Sequence, residues 1–297
     1  MLDYASVRAL AREAQARGMS LGQVVLEDQS REMGKTQEEM LEMMDRQLSV
    51  MEQSAVQGGR RDIRSQSGLT GGDGWRMGQY ARQGQPLGGG FCAQAMATAL
   101  SVAECNAAMG KIVASPTAGS CGILPGAVLT MMDKRGVSRH QACVALMAAG
   151  GVGMVIARQA SISGAEGGCQ AECGSAAAMA AAALVELCGG TPDMAANAVA
   201  MAIKNQLGLV CDPVAGLVEV PCVKRNAGGV MCAITAADMA LAGICSVIPV
   251  DEVISAMREV GESLPCALRE TAQGGLAATP TAQELARRIF SPDEEQP

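Results

Sequence analysis

Three loops, each with a cysteine beside glycine or proline, carry the chemistry of this sequence. They are EGGCQAEC with Cys169 and Cys173, GLVCDPVAG with Cys211, and VEVPC with Cys222. A thiolate is a soft metal ligand, and glycine and proline let separate stretches of chain turn sharply enough to aim several thiolates at one centre, as a cluster requires. Cysteines that only fill a core need no such loops. Forty-two positions separate Cys169 from Cys211 and eleven separate Cys211 from Cys222, so the set is neither a compact ferredoxin run nor a zinc ribbon. On spacing alone, incidental thiols in tight turns are an equal alternative.

The elements that would position these loops are helices. Apolar residues fill 49% of the 297 positions, 20 of them methionine, while aromatics make up only 2%; such a composition favours helix over strand. Thr36 with Glu39 and Ser138 with Gln141 read as capping boxes, and Thr191-Pro192 sets a cap before proline at the first helical position. The pattern predicts an amphipathic helix from Thr36 to Gly58, and Ala/Met-rich helices over 92–113, 125–134, 138–158, 172–188, 192–206, 228–245 and 251–261. From Gly58 to Gly90 no periodicity is visible, which predicts a linker or a binding loop. The expected fold class is all-α: a compact bundle of Ala/Gly/Met-rich buried helices with the cysteine-bearing loops converging on one site. It would be a single catalytic domain over 1–297, with an N-terminal helical segment 1–58 packed on it, a Gly-rich loop region 59–90 and a cluster-binding core 91–290. The acidic tail SPDEEQP should fray.

A net charge of -7 without a basic patch excludes nucleic acid as an expected partner. MLDYASVRALAREAQARG reads as an amphipathic helix rather than an export signal, and the longest apolar stretch, 176–184, falls short of a bilayer. The expectation is a cytoplasmic protein with no membrane partner and reduced thiols. Cys105, Cys143, Cys188, Cys232 and Cys245, in small-residue helical runs, are expected in the core.

The segments SPTAGSCGILPGA, SISGAEGGCQAECGSAAAMAAAALVEL, LGLVCDPVAGLVEVPCVKRN and LRETAQGGLAATPT, with SGLTGGD upstream, resemble the iron-sulfur-dependent L-serine dehydratase family over nearly the whole stretch from Leu21 to Ile289. The resemblance implies that Cys169, Cys211 and Cys222 bind a 4Fe-4S cluster, leaving one iron open as a Lewis acid for the serine hydroxyl, with no pyridoxal phosphate. It implies a lyase that converts L-serine to pyruvate and ammonia in amino-acid degradation and gluconeogenesis. SGLTGGD and PTAGSCG then read as substrate loops, with Ser67, Gly68, Thr70 and Gly71 in the first and Thr117, Gly119 and Ser120 in the second. The bland alternative is that these loops only turn the chain. Lys224 is a candidate cation for the substrate carboxylate, and a solvated charge is the competing reading. Cys121 reads as pocket wall and Cys173 as a neighbour of the ligands. Whether Cys266 also approaches the cluster is open.

Removal of an α-proton wants a base, and the one histidine, His140, sits at a helix start that reads as surface. In the family some enzymes divide the work with a β chain that bears a Ser-Ser-His motif, which is absent here. The resemblance therefore implies the α chain of a two-chain enzyme, with the base supplied in trans and further oligomerisation allowed. The rivals are the same chemistry on another small amino acid, or a non-enzymatic iron-sulfur or zinc sensor or carrier.

Overall fold

The computed structural model describes residues 5–290. Among them the regular elements are helices: α1 (Val7–Ala16), α2 (Leu21–Glu32), α3 (Gln37–Gly58), α4 (Asp73–Gln83), α5 (Gly89–Ala107), α6 (Ile123–Arg135), α7 (Arg139–Gln159), α8 (Gly164–Gly167), α9 (Ser175–Leu187), α10 (Pro192–Lys204), α11 (Cys222–Leu241), α12 (Val250–Ser263) and α13 (Pro280–Phe290). The single β-type pairing described is one parallel bridge between Cys211 and Arg269. The fold is all-α, as the composition predicts. The tail SPDEEQP lies outside the described residues.

Helix α9 is the axis. Eleven of its thirteen residues, Ser175 to Val185, are buried, because alanines on every face let α6, α7, α10 and α11 close on it from all sides. Glycine does the same at the edges. A side chain on Gly58 would bring its Cβ within 1.7 Å of the Ser101 carbonyl oxygen, so bare backbone lets α3 lie against α5. One apolar cluster runs from Val7 on α1 to Met257 on α12.

Thr36, Ser138 and Thr191 cap α3, α7 and α10 as expected, the first two through complete capping boxes. Five expectations need correction. The helix expected over 92–113 ends at Ala107, as the chain turns away through Met109 with φ 61°. The stretch 58–90 is not all loop: it contains α4, whose Gly74 and Gly78 read as breakers but lie buried in the helix, Gly74 against Ser101 of α5. Helix α11 begins at Cys222 rather than 228 and ends at Leu241, two residues before Gly243 with φ 84°. Among the thiols expected in the core, Cys188 and Cys245 are exposed and Cys232 is half-buried, since the first two lie just past the ends of α9 and α11. Finally, α7 is long and apolar enough to cross a membrane by length and composition, unlike the stretch 176–184; 67% of its most apolar window is buried inside the molecule, as in a core helix.

Candidate active site

The first turn of α11 gathers every loop singled out from the sequence. Cys222 opens the helix. Lys224 reaches Asp73, the last residue of SGLTGGD, at 2.6 Å. Arg225 pairs with Asp212 beside Cys211 at 2.8 Å and donates to the Val210 carbonyl. Asn226 accepts from the Gly122 amide at 2.8 Å and donates to the carbonyls of Gly119 and Cys222, which ties down PTAGSCG. Four of the five positions from 222 to 226 thus serve the cysteine loops and both hydroxyl loops.

The thiols of Cys169, Cys211 and Cys222 are all buried. Cys169 ends the short loop after α8 and precedes a π turn over Gln170–Gly174 that runs into α9. Buried Gln170 locks this loop to the next, accepting from the Gly208 amide and donating to the Met257 carbonyl. The Cys211 loop is strapped by the later segment: its amide donates to the Leu268 carbonyl and its carbonyl accepts from the Glu270 amide.

The electrostatics couple the three. Burial, followed by the charges on Glu172 and Cys169, pushes the Cys211 thiol far up. Burial and then the charge on Cys169 push Cys222 up to about 12. Cys169 goes the other way, because Cys173 donates to it, Sγ to Sγ 3.3 Å, and the Arg225 guanidinium favours its thiolate. Cys173 is held as a thiol by that same bond and by complete burial. Cys266 is exposed on the strap, and buried Cys121 packs behind its loop with its thiol pushed up to about 12 by burial.

The hydroxyl loops split. Thr117 donates to Glu172 at 2.7 Å and lies 3.1 Å from the Ser120 hydroxyl, with Gly119 beside them. In the other loop, Ser67 donates to Glu219 at 2.6 Å. The Thr70 hydroxyl is buried and has no hydrogen-bond partner. Gly68 and Gly71 have φ of 76° and 146°, and a Cβ at Gly71 would meet the Ile63 carbonyl at 2.2 Å, so only glycine fits that turn. Lys224 is 60% exposed while paired with Asp73.

No three His, Cys, Asp or Glu side chains among the described residues stand close enough to grip a single metal ion. Cys169, Cys211 and Cys222, buried thiols that perturb one another, are the residues here that could hold a metal-containing group, and the bare backbone of Gly164, whose Cβ would lie 3.1 Å from the Cys211 sulfur, leaves space at that thiol.

The sequence matches the family described as Serine dehydratase alpha chain over residues 16–277. The chain belongs to that family. Similar proteins agree with it: one from Bacillus subtilis named "Probable L-serine dehydratase, alpha chain" is 52% identical over 287 residues, covering 97% of this chain and 95% of that one. The "L-serine dehydratase, alpha chain" of Peptoniphilus asaccharolyticus is 47% identical over 271 residues, 91% of this chain and 93% of that one. "L-serine dehydratase 1" of Escherichia coli is 48% identical over 182 residues, 60% of this chain but 40% of that longer one.

For a member of the serine dehydratase alpha chain family, three polar residues at this site went unread in the sequence. Glu172 is half-buried and touches both Thr117 and Cys211, with burial pushing its carboxyl up. Glu219 and Asn226 are buried hydrogen-bonding partners. The available signals were position: Glu172 follows Cys169 by three residues, Glu219 precedes Cys222 by three, and Asn226 follows it by four, the last pair on one face of α11. His140 is exposed and lines a groove with Glu38, Glu42 and Asp45, none of which belongs to the thiol site.

Proposed function

We propose that this chain is the catalytic α chain of an iron-sulfur-dependent L-serine dehydratase, a carbon-oxygen lyase that converts L-serine to pyruvate and ammonia. The observation that carries the reading is that three buried thiols from three separated loops lie within electrostatic range of one another, with Cys211 joined through Glu172 to the Thr117–Ser120 turn, in a chain 52% identical to a named alpha chain.

Cys169, Cys211 and Cys222 would hold a 4Fe-4S cluster. When bound, it supplies a Lewis acid that stabilises charge on the departing hydroxyl. The protein's own groups do the rest. Arg225, half-buried against Asp212, offsets the negative charge of the thiolates. Asn226 fixes the Thr117–Ser120 turn against the first turn of α11, and the hydroxyls there orient polar groups of the substrate. The unpartnered Thr70 hydroxyl is a spare donor for the substrate carboxylate, since a buried hydroxyl without a partner is costly. Loss of the α-proton and the hydroxyl gives an aminoacrylate, which tautomerises and hydrolyses to pyruvate and ammonia.

The α-proton acceptor is read as coming from a β chain. Support comes from the exposed position of His140 and from the name "alpha chain" of the similar proteins. A cytoplasmic location is part of this reading and is supported by twelve cysteines that are all free thiols.

The test is anaerobic purification with iron and sulfide quantitation and absorbance spectra, followed by a pyruvate-release assay with L-serine, with and without the β chain. About four irons per chain, and pyruvate only with both chains present, are the expected results. A colourless protein that stays inert beside its partner refutes the scheme.

A further inference from the structure

Glu172 joins the two halves of the site. Its Oε1 accepts from the Thr117 hydroxyl at 2.7 Å, and its Oε2 is 3.9 Å from the Cys211 sulfur. Two glycines make room for the carboxylate: a Cβ on Gly164 or Gly119 would come within 2.6 or 3.2 Å of it. No ion pair to Glu172 exists among the described residues, although a guanidinium is close by. Arg225 is committed to Asp212 and to the Val210 carbonyl. A half-buried carboxylate that accepts from one hydroxyl, with a thiol at 3.9 Å and the Glu270 carboxylate within electrostatic range, is a suitable partner for a cation.

The substrate brings one. An ammonium has three N–H donors and no acceptor, so its complement is a carboxylate with neutral oxygens nearby, and Thr117 and Ser120 supply those oxygens 3.1 Å apart. The amino and hydroxyl groups of serine sit on adjacent carbons. The partner of the ammonium must therefore stand beside the thiol site that acts on the hydroxyl, and Glu172 lies 3.9 Å from the Cys211 sulfur.

We infer that Glu172 holds the ammonium of the α-amino-acid substrate and so selects amino acids over hydroxy acids. This rests on the lyase reading above and extends it to substrate recognition. Glu172 is a binding group and not the α-proton acceptor.

The experiment uses the cluster-loaded enzyme with every chain its activity needs, comparing wild type, E172Q and T117V. Three quantities are read: iron per chain, KM and kcat for L-serine, and the inhibition constant of glycerate, which carries a hydroxyl where serine carries the ammonium. E172Q should raise KM for L-serine about 10- to 100-fold, the range for losing a hydrogen bond to a charged group. It should lower kcat less, keep its iron, and bind glycerate no worse than wild type does. T117V should move the ratio of serine KM to glycerate inhibition constant in the same direction by a smaller factor.

A collapse of kcat at unchanged KM would make Glu172 the base and overturn the inference. Equal weakening of serine and glycerate would overturn it, and so would loss of iron, which would make the residue a support for the cluster. If E172Q does not fold, an unchanged ratio in T117V overturns the inference and a raised one sustains it. Failure of the lyase reading itself shows separately, as wild-type enzyme without iron or without pyruvate release.

Discussion

Among single residues, Asn226 and Lys224 make opposite predictions although they lie two positions apart. Asn226 is 1% exposed, and its amide makes three hydrogen bonds, two of which hold PTAGSCG to α11 while the third goes to the Cys222 carbonyl in the same helix. Asn226→Leu would strand the Gly122 amide and the Gly119 carbonyl, with an expected loss of about 1–3 kcal/mol for each buried group left unsatisfied and a raised KM for L-serine. Urea titration of the apoprotein and steady-state kinetics check both. Lys224, exposed and paired with Asp73, should tolerate alanine with a stability change under about 1 kcal/mol. A KM that rises tenfold or more in Lys224→Ala would show instead that the side chain leaves Asp73 for the substrate. The cysteine and hydroxyl loops were legible because glycine and proline mark them. Glu172 and Asn226 were not, since Glu and Asn in a helix read as solvent-facing until the loops that cover them are known.

Among elements, a shared device stands out: helix N-termini are satisfied by carboxylates from far along the chain. Asp251 accepts from the Val7 and Arg8 amides of α1, Glu186 from the Gly22 amide of α2, and Glu104 from the Asp73 and Gly74 amides of α4. Such capping satisfies orphan amides and favours negative charge at the positive end of the helix dipole. It also explains what could be read and what could not. The local boxes at Thr36 and Ser138 were visible at three-residue spacing, whereas α4 has Gly72 at its cap position, which offers no side chain, and is capped from α5.

Burial raises the Glu186 carboxyl above its ordinary value of 4.5. A raised carboxyl holds its proton more tightly folded than unfolded, so its contribution to stability is full below the ordinary value and is lost as pH rises through the folded one. The stability of wild type relative to Glu186→Gln should therefore fall as pH climbs from 4.5. Parallel urea midpoints over that range measure it, and a difference that stays flat contradicts it. Close approach gives the second prediction at this scale. Gly58→Ala pushes a Cβ onto the Ser101 carbonyl and should cost about 1–3 kcal/mol as α3 is forced off α5, read as a lowered Tm.

Across the whole molecule, the site exists only because remote segments close on it. The strap after α12 meets Cys211 through backbone bonds at Leu268 and Glu270, and its tip folds over Asp212. The buried Asp212 carboxylate receives the Arg225 guanidinium and the Leu276 amide, each at 2.8 Å. Gly275, with φ 59°, leaves no room for a Cβ, which would sit 2.4 Å from that carboxylate. None of this was readable beforehand, because a contact across 64 positions leaves no periodic trace. LRETAQGGLAATPT entered the sequence reading only as a segment that carries the family resemblance. Asp212→Asn keeps one acceptor but removes the charge that balances half-buried Arg225. Breaking a buried pair costs about 3–5 kcal/mol, and the retained acceptor puts this variant at the lower end. Since Arg225 and the strap both aim the Cys211 loop, iron per chain should fall together with the urea midpoint of the apoprotein. An Asp212→Asn protein that loses stability yet keeps its full iron would show that the strap holds the fold and not the thiols.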